Sequence, residues 1–322
     1  MTSRRKNVRQ RPHGPKKAPK DAPGWWRRPI VWIGTFLGTG LLAVATTVGA
    51  NIGQEISPGS QRPATATQEG PPVAIESVGE IQPFQDYSYV IPGRLSLTPA
   101  QLGAMNAQIN VSSSGYTAWF AHRDGVLANQ GTISLTVRGN DTGSVTITDM
   151  EVVKHCQAPI ARDASLFYSP TQGTGPFVTD QIGYDLDSQV AVGQFIPAIG
   201  THLGSGGNYF TKRVVVLRAG EPQTFGIFVT TKQHYCRFTF RMHIATPSGN
   251  SVTEDISDHG RPFQLTFDGE SGADPAHVPF SSYRAVYAGG AANEPRGGAF
   301  VLVNPATYKG YGDPETYPVR AA

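Results

Sequence analysis

Short runs of alternating hydrophobic and polar residues fill the chain from about residue 81 onward, with Gly, Pro, Asn and Asp between them. In one such run Ile133, Leu135 and Val137 fall on one side and polar residues fall on the other. Successive side chains of a strand point to opposite faces of its sheet, so this alternation is typical of a half-buried strand. It predicts ten strands: Tyr116 to His122, Thr132 to Arg138, Ser144 to Lys154, Leu166 to Tyr168, Gln181 to Leu186, Gln189 to Ile196, Arg213 to Arg218, Thr224 to Thr231, Tyr235 to Ala245 and Phe263 to Phe267.

Ten strands with hardly any helical periodicity predict a mainly β domain over residues 81–270. We expect an antiparallel β-sandwich or barrel rather than alternating βαβ units. One short helix is expected ahead of the strands, where Thr98 and Gln101 can form a capping box around Pro99. Residues 271–322 are irregular and rich in Gly, Pro and Tyr, with one further strand predicted from Ala299 to Val303.

One apolar run stands apart from this pattern, because Ile30 to Ile52 contains 23 residues and no charge. As a helix it would be about 34 Å long, and a bilayer has a hydrocarbon core of about 30 Å. The run therefore predicts a single transmembrane helix, residues 30–52, with the lipid bilayer as its partner. Gly34 and Gly38 form a GxxxG pattern that permits close contact between two helices, although glycine is also common in membrane helices.

Basic residues are concentrated before this run. Residues 1–28 carry ten Lys and Arg and a single Asp, a net charge of +9 in a chain whose total is +3. By the positive-inside rule, residues 1–29 are a cytoplasmic tail and the C-terminal domain lies outside. The tail has the composition of a disordered segment, and its charge suits anionic lipid. No nucleic-acid partner is expected, because no folded recognition element accompanies the basic residues.

Residues 53–80 are rich in Pro, Thr, Ser and Gln, which predicts an extended stalk between the span and the domain. The expected location is the plasma membrane, with the N-terminus inside. A cleaved signal peptide is the alternative, because Val48, Gly49 and Ala50 are small enough for a signal peptidase. Cleavage near Ala50 would release a secreted protein.

The two cysteines, Cys156 and Cys236, both fall in the exported part, where oxidising conditions favour a structural disulfide. A zinc or copper site is the alternative, since His155 and His234 lie beside them. Period two places His234 on the face of Cys236 but turns His155 away from Cys156. Immunoglobulin-like sandwiches also bridge two strands, but Trp119 precedes both cysteines here, so any similarity is one of architecture only.

Enzyme signatures such as GxSxG, HExxH and the P-loop are missing from the sequence. Asp185 and Asp187 could bind Ca²⁺ or act as paired carboxylates, although such a pair is more often a solvated strand edge. A second acidic group could hold a cation or form a solvated loop: Glu254, Asp255, Asp258 and His259. No cofactor is predicted.

The layout of tail, span, stalk and single β-rich outer domain resembles that of single-pass envelope proteins common in Gram-positive actinobacteria. The resemblance is one of architecture and composition and transfers no functional residue. It implies a non-catalytic surface module that binds a protein or a cell-envelope polymer. The alternatives are a membrane-anchored hydrolase acting on cell-wall or glycan substrate, and a structural or assembly partner of another membrane protein.

Overall fold

A computed structural model describes residues 70–84, 87–109, 113–169, 181–196, 203, 206–269, 279–290, 298–310 and 313. The predicted tail 1–29, the predicted span 30–52 with Gly34 and Gly38, and residues 53–69 of the predicted stalk lie outside these residues. Among the helices that the structure does describe, none is long and apolar enough to cross a bilayer.

The described part of the chain is mainly β, as the alternation predicts. Its strands are β1 Val73–Val78, β2 Gln82–Pro83, β3 Tyr89–Ile91, β4 Val126–Leu127, β5 Gln130–Gly139, β6 Val145–Gln157, β7 Ser165–Tyr168, β8 Gln181–Asp185, β9 Gln194–Ile196, β10 Val215–Leu217, β11 Pro222–Thr230, β12 Tyr235–Ala245, β13 Ser251–Ile256, β14 Phe263–Leu265, β15 Ala285–Ala288 and β16 Val301–Val303. Its helices are α1 Pro99–Ile109, α2 Ser113–Ala121 and α3 Tyr209–Lys212, and Phe280–Ser282 forms a 3₁₀ turn.

The strands form three sheets. The first has the order β1-β5-β11-β8-β9, with β2 also paired to β5. The second has the order β10-β6-β12-β13, with β14 also paired to β12, and the third has the order β16-β15-β7-β3-β4. Two pairs of neighbouring strands are parallel, β8 with β11 and β7 with β15. The first and third sheets are therefore mixed, and the expectation of a purely antiparallel fold is wrong. Parallel partners are joined by long connections, which local alternation does not reveal.

One hydrophobic cluster joins all three sheets. Strand β12 is an example of how the sequence forms this cluster. Its bounds coincide with the predicted ones, and its alternate residues from Cys236 to Ile244 are all buried. Burying a large apolar side chain of this kind contributes about 1.5–3 kcal/mol. A second, smaller cluster packs on the other side of the third sheet, around Leu166, Tyr168 and Val286. The third sheet is therefore covered on both faces.

The predicted strand Tyr116 to His122 is wrong, since these residues lie in or just after α2. Tyr116, Trp119 and Phe120 have the spacing i, i+3, i+4 and share one helix face. That face packs against the third sheet, where the rings of Trp119 and Phe167 are 5.4 Å apart. Tyr116 and Phe120 are also an even number of residues apart, which is why the segment imitates a strand in the sequence.

The predicted helix is present as α1, and its capping box is confirmed. The Thr98 amide donates to Gln101 Oε1 at 2.9 Å, and the Gln101 amide donates to Thr98 Oγ1 at 3.3 Å. These two bonds satisfy amides that the first helical turn leaves without partners. The expectation of one helix is too low, because α2 follows α1 directly.

Several segments differ from the predicted boundaries, among them β1 and β9. Strand β1 falls inside the predicted stalk 53–80 and pairs with β5 along its length. The predicted strand Gln189 to Ile196 is reduced to β9, because residues 186–190 form turns and bends instead.

Candidate functional site

Cys156 and Cys236 form a disulfide, which confirms the prediction. They face each other in the ladder between β6 and β12, with their Cα atoms 4.1 Å apart. The bridge therefore joins neighbouring strands of one sheet, whereas an immunoglobulin-like bridge joins two sheets. Both sulfurs are used in this bond and cannot serve as thiolate ligands. No group of three or more His, Cys, Asp or Glu in the described ranges is arranged to hold a metal ion.

Asp187 and His234, both candidates from the sequence, lie together beside the disulfide. Asp187 Oδ1 is 2.8 Å from His234 Nδ1 and accepts a 2.7 Å hydrogen bond from the Thr231 hydroxyl. Asp187 Oδ2 accepts from the Lys232 amide at 2.5 Å. The Asp187 side chain is only 12% exposed, and that of His234 is 38% exposed. One carboxylate therefore holds the turn that connects β11 to β12.

Asp185 has a different set of partners. Its Oδ1 accepts from the Asp187 amide, and its Oδ2 accepts from the Ser188 hydroxyl, each at 3.0 Å. The predicted pair thus shares one turn, which we call the acidic turn, residues 185–188. Both carboxylates already accept hydrogen bonds from protein donors, so this arrangement organises a turn more directly than it offers a cation site.

Lys154 fastens the acidic turn to the second sheet. Its Nζ donates to the Leu186 carbonyl at 2.5 Å and to the Ser188 carbonyl. Burial lowers the pKa of Lys154, and the charges of Asp185 and Asp187 oppose that effect. The Leu186 carbonyl also lies 3.8 Å from Cys156 Sγ. The acidic turn therefore packs directly over the disulfide.

His155 lies apart from this cluster, because it is paired with Arg237 in the β6–β12 ladder. The alternation of β6 turns it to the opposite face from Cys156, as period two predicts. The second acidic group is also divided, because Asp255 and Asp258 have different surroundings. Asp255 is bound by Arg241 at 2.7 Å on the exposed sheet face, and this hydrogen bond lowers the pKa of Asp255. Asp258 lies beyond β13 and faces a cleft.

The cleft has a volume of about 240 Å³ and was not predicted from the sequence. Its walls come from the β1–β2 connection, β3, the end of α2, β4, the start of β12 and the turn before β14. The polar residues that line it are Glu80, Tyr89, Thr117, Asp124, Tyr235, Asp258, Arg261 and Gln264. These residues are spread over more than 180 positions, so no local motif could have revealed them.

Tyr89 is the most deeply buried polar group of the cleft, at 3% exposure. Its ring stacks on Phe120 at 4.1 Å and meets Tyr116 edge-on at 5.7 Å, which fixes the direction of the hydroxyl. That hydroxyl is buried and satisfies no hydrogen bond among the described residues. Burial raises the pKa of Tyr89, and the neighbouring Thr117 side chain partly opposes that effect.

Asp258 opens a tight turn that ends at Arg261. The Asp258 amide donates to the Arg261 carbonyl at 2.8 Å, and the Arg261 amide donates back at 2.9 Å. Asp258 Oδ2 lies 3.6 Å from the Arg261 guanidinium. Asp258 Oδ1 is buried and accepts no hydrogen bond within the described ranges, the His259 ring being 3.9 Å away. The wall of the cleft therefore contains a carboxylate oxygen that accepts no hydrogen bond from the described residues.

Tyr235 forms the opposite wall. Its hydroxyl donates to Gln264 Oε1 at 2.5 Å, across the pairing of β12 with β14. Burial raises the pKa of Tyr235, and the nearby charge of Arg237 partly opposes that effect. The side chain is only partly exposed. It offers the cleft an aromatic surface that hydrogen bonding holds in one position.

A second hollow of about 320 Å³ lies at the other end of β5, among the β5–β6 and β12–β13 turns. Its polar groups are largely engaged in holding these loops. Asn140 Nδ2 donates to the Pro71 carbonyl at 3.0 Å, and Asp141 Oδ1 accepts from the Gly143 amide at 2.9 Å. This hollow therefore lies where the segment before β1 is hydrogen-bonded to the turn after β5.

No protein-family model matches this chain, and no curated protein is similar to it in sequence. Functional inference therefore depends on the acidic turn and the cleft. The two regions meet at the start of β12, because His234 belongs to the first and Tyr235 to the second.

Proposed function

We propose that the protein is a membrane-anchored binding module whose cleft captures a component of the cell envelope. The observation that carries this proposal is the position of the cleft at one end of β5. Ile81 and Leu127 line the cleft and lie close to Gly131, near the start of that strand. At its other end, the Asn140 amide donates to the Pro72 carbonyl. The ten residues of β5 are joined by nine steps of about 3.4 Å, so these ends lie about 30 Å apart.

This separation suits a domain that is held by its N-terminal side. In the proposed topology the span 30–52 and residues 53–69 precede β1, so the chain enters the domain at the end of β5 near Pro72. The cleft lies at the other end of that strand, away from this point of entry. The three sheets would form the sandwich-like body of this exported domain, and the basic tail 1–29 would lie against anionic lipid on the cytoplasmic side.

The cleft has the character of a preformed binding site. Stacking fixes Tyr89, a closed turn fixes Asp258, and a hydrogen bond fixes Tyr235. Groups that are already held in place lose little freedom when a ligand binds. An apolar and aromatic lining with a few convergent polar groups is also the usual composition of a ligand site.

Co-sedimentation with cell-wall and glycan preparations tests the proposal. The full chain is solubilised in a detergent without a sugar headgroup, so that the detergent does not compete. Ala121 is exposed, ends α2 and lines the cleft, so Ala121→Trp should block it. Ala107 is an exposed residue of α1 outside the cleft, and Ala107→Trp is the matched control.

We expect the wild type and Ala107→Trp to sediment with the envelope material and Ala121→Trp to remain in solution. Equal sedimentation of both variants would show that the cleft is not the binding site. If the wild type itself does not sediment, the envelope-binding function is wrong. An assembly role with another membrane protein would then be the better hypothesis, to be tested by crosslinking in whole cells.

A hydrolase is the second candidate, and the hydrogen bond between Asp187 and His234 favours it. A carboxylate that orients an imidazole is the arrangement of a general base, and the His234 ring is partly exposed. The same assay distinguishes this candidate, because a hydrolase would release soluble product from the envelope material. Product release that Asp187→Asn abolishes would establish it.

A further inference from the structure

We infer that the cleft binds one neutral sugar unit of a glycan, with the Tyr89 hydroxyl and Asp258 Oδ1 as its main hydrogen-bonding partners. This inference rests on the proposed binding function and names its ligand. Both atoms are buried in the cleft wall and satisfy no hydrogen bond within the described part of the chain. Buried polar groups normally have partners, so these two indicate a partner that comes from outside.

The two atoms differ in what they require. A tyrosine hydroxyl both donates and accepts, whereas a carboxylate oxygen only accepts. Burial keeps Tyr89 protonated, so its donor is present at neutral pH. Neighbouring hydroxyl groups of a sugar ring supply a donor for Asp258 and an acceptor or donor for Tyr89. A purely apolar ligand would leave both atoms unsatisfied.

Two side chains that retain some exposure lie beside these residues. Thr117, whose hydroxyl influences Tyr89, is partly exposed, and the Arg261 side chain beside Asp258 is 76% exposed. Both can turn aside as a ligand enters. The backbone of the Asp258–Arg261 turn is closed by its own hydrogen bonds and need not move.

Charge excludes an anionic ligand. Three carboxylates, Glu80, Asp124 and Asp258, line the cleft together with a single guanidinium, that of Arg261. Phosphate-rich polymers and acidic peptides would meet this excess of negative charge and be repelled. A neutral hydroxylated ring has no such penalty, and its apolar face can rest against Tyr235.

Size limits the ligand to about one ring. The cleft of about 240 Å³ is smaller than the roughly 300–1,000 Å³ that is usual for drug-sized ligands. A single sugar unit would fill it while the rest of the polymer continues across the surface. Affinity for one unit is then modest, and a polymer would bind tightly only when several copies of the protein hold it at the same time.

Titration calorimetry with the full chain, in a detergent without sugar headgroups, tests the inference. The probes are chitotriose and maltotriose as neutral sugars, inorganic phosphate as an anion and trilysine as a cationic peptide. Tyr89→Phe removes the tyrosine hydroxyl, and Asp258→Asn replaces the charged acceptor with a neutral amide, while both keep the shape of the side chain. Tyr87→Phe and Asp141→Asn are the matched controls, since neither residue lines the cleft.

We expect at least one neutral sugar to bind saturably, and Tyr89→Phe and Asp258→Asn each to weaken binding about tenfold. The first variant loses a hydrogen bond, and the second loses the charge that strengthens one. The controls should leave affinity unchanged. Tyr89→Phe should also melt no lower than the wild type, because it removes a buried hydroxyl without a partner. A lower melting temperature together with unchanged sugar affinity would mean that Tyr89 is purely structural and would overturn its assignment.

The remaining outcomes separate this inference from the proposed function. Sedimentation with envelope material, with no binding of either sugar, would leave the binding module standing and overturn the sugar assignment. Preference for phosphate or trilysine would also overturn it, and trilysine would indicate a protein partner. Failure of both sedimentation and sugar binding would overturn both proposals.

Discussion

Asp187 Oδ1 and His234 Nδ1 lie 2.8 Å apart, although the two residues are 47 positions apart in the chain. The same carboxylate accepts hydrogen bonds from Thr231 and Lys232. It therefore connects the acidic turn to the start of β12. The first test of this connection is a measurement of stability rather than of activity.

Asp187→Asn should destabilise the protein by about 1–3 kcal/mol, because a partly buried group loses charge-assisted hydrogen bonds. Urea unfolding measures this difference. Asp163→Asn is the matched control, since Asp163 pairs with Arg284 while both side chains are 61% exposed. Its effect should stay within about 1 kcal/mol. Similar effects of the two substitutions would contradict the role assigned to Asp187.

Removing the disulfide should destabilise the folded domain. The bond closes a loop with a sequence separation of 80 residues, for which chain entropy gives at most about 4.5 kcal/mol. The double variant Cys156→Ala, Cys236→Ala and the wild type with reductant should show similar losses in urea unfolding. Intact mass of the untreated protein should be about 2 Da below that of the reduced form. Two free thiols in the native protein would contradict the bond.

Stability should fall above about pH 10, where exposed tyrosines normally ionise. Burial raises the pKa of Tyr184 and of Tyr283 above that value in the folded protein. The unfolded state then loses these protons first, so stability is fully present below pH 10 and declines as the pH rises. Thermal unfolding between pH 8 and pH 11 measures the decline. Tyr184→Phe should make it shallower, and an unchanged slope would contradict this explanation.

Protease added to intact cells should remove the exported domain and leave the tail and span protected, if residues 30–52 cross the membrane with the N-terminus inside. Antibodies to each end of the chain report the fragments. Protection of the domain would contradict this topology. Release of a soluble chain that begins near Asn51 would instead favour signal-peptide cleavage.

The sequence predicts well those features that depend on a short stretch of chain. Every position of β12 follows the alternation because one face meets the core and the other faces water. The Thr98 and Gln101 capping box is equally local. The disulfide could also be predicted from the sequence, because only two cysteines are present.

Features that depend on distant residues were not predictable in this way. The parallel pairing of β7 with β15 joins residues about 120 positions apart, and nothing in either strand encodes its partner. The helix α2 was mistaken for a strand because its aromatic residues fit both periods. Asp187 and His234 were candidates separately, but only folding shows that they share a hydrogen bond. The cleft collects Tyr89, Asp258 and their neighbours from six parts of the chain.

Tyr235 lies between two restrained neighbours, since His234 is bound by Asp187 and Cys236 is covalently joined to Cys156. The wall of the cleft is therefore already ordered in the folded protein. A ligand that binds there would cause little further loss of conformational entropy. If either neighbour became mobile, the wall would have to become ordered when the ligand binds. Ligand affinity would then decline in variants that leave every atom of the cleft lining unchanged.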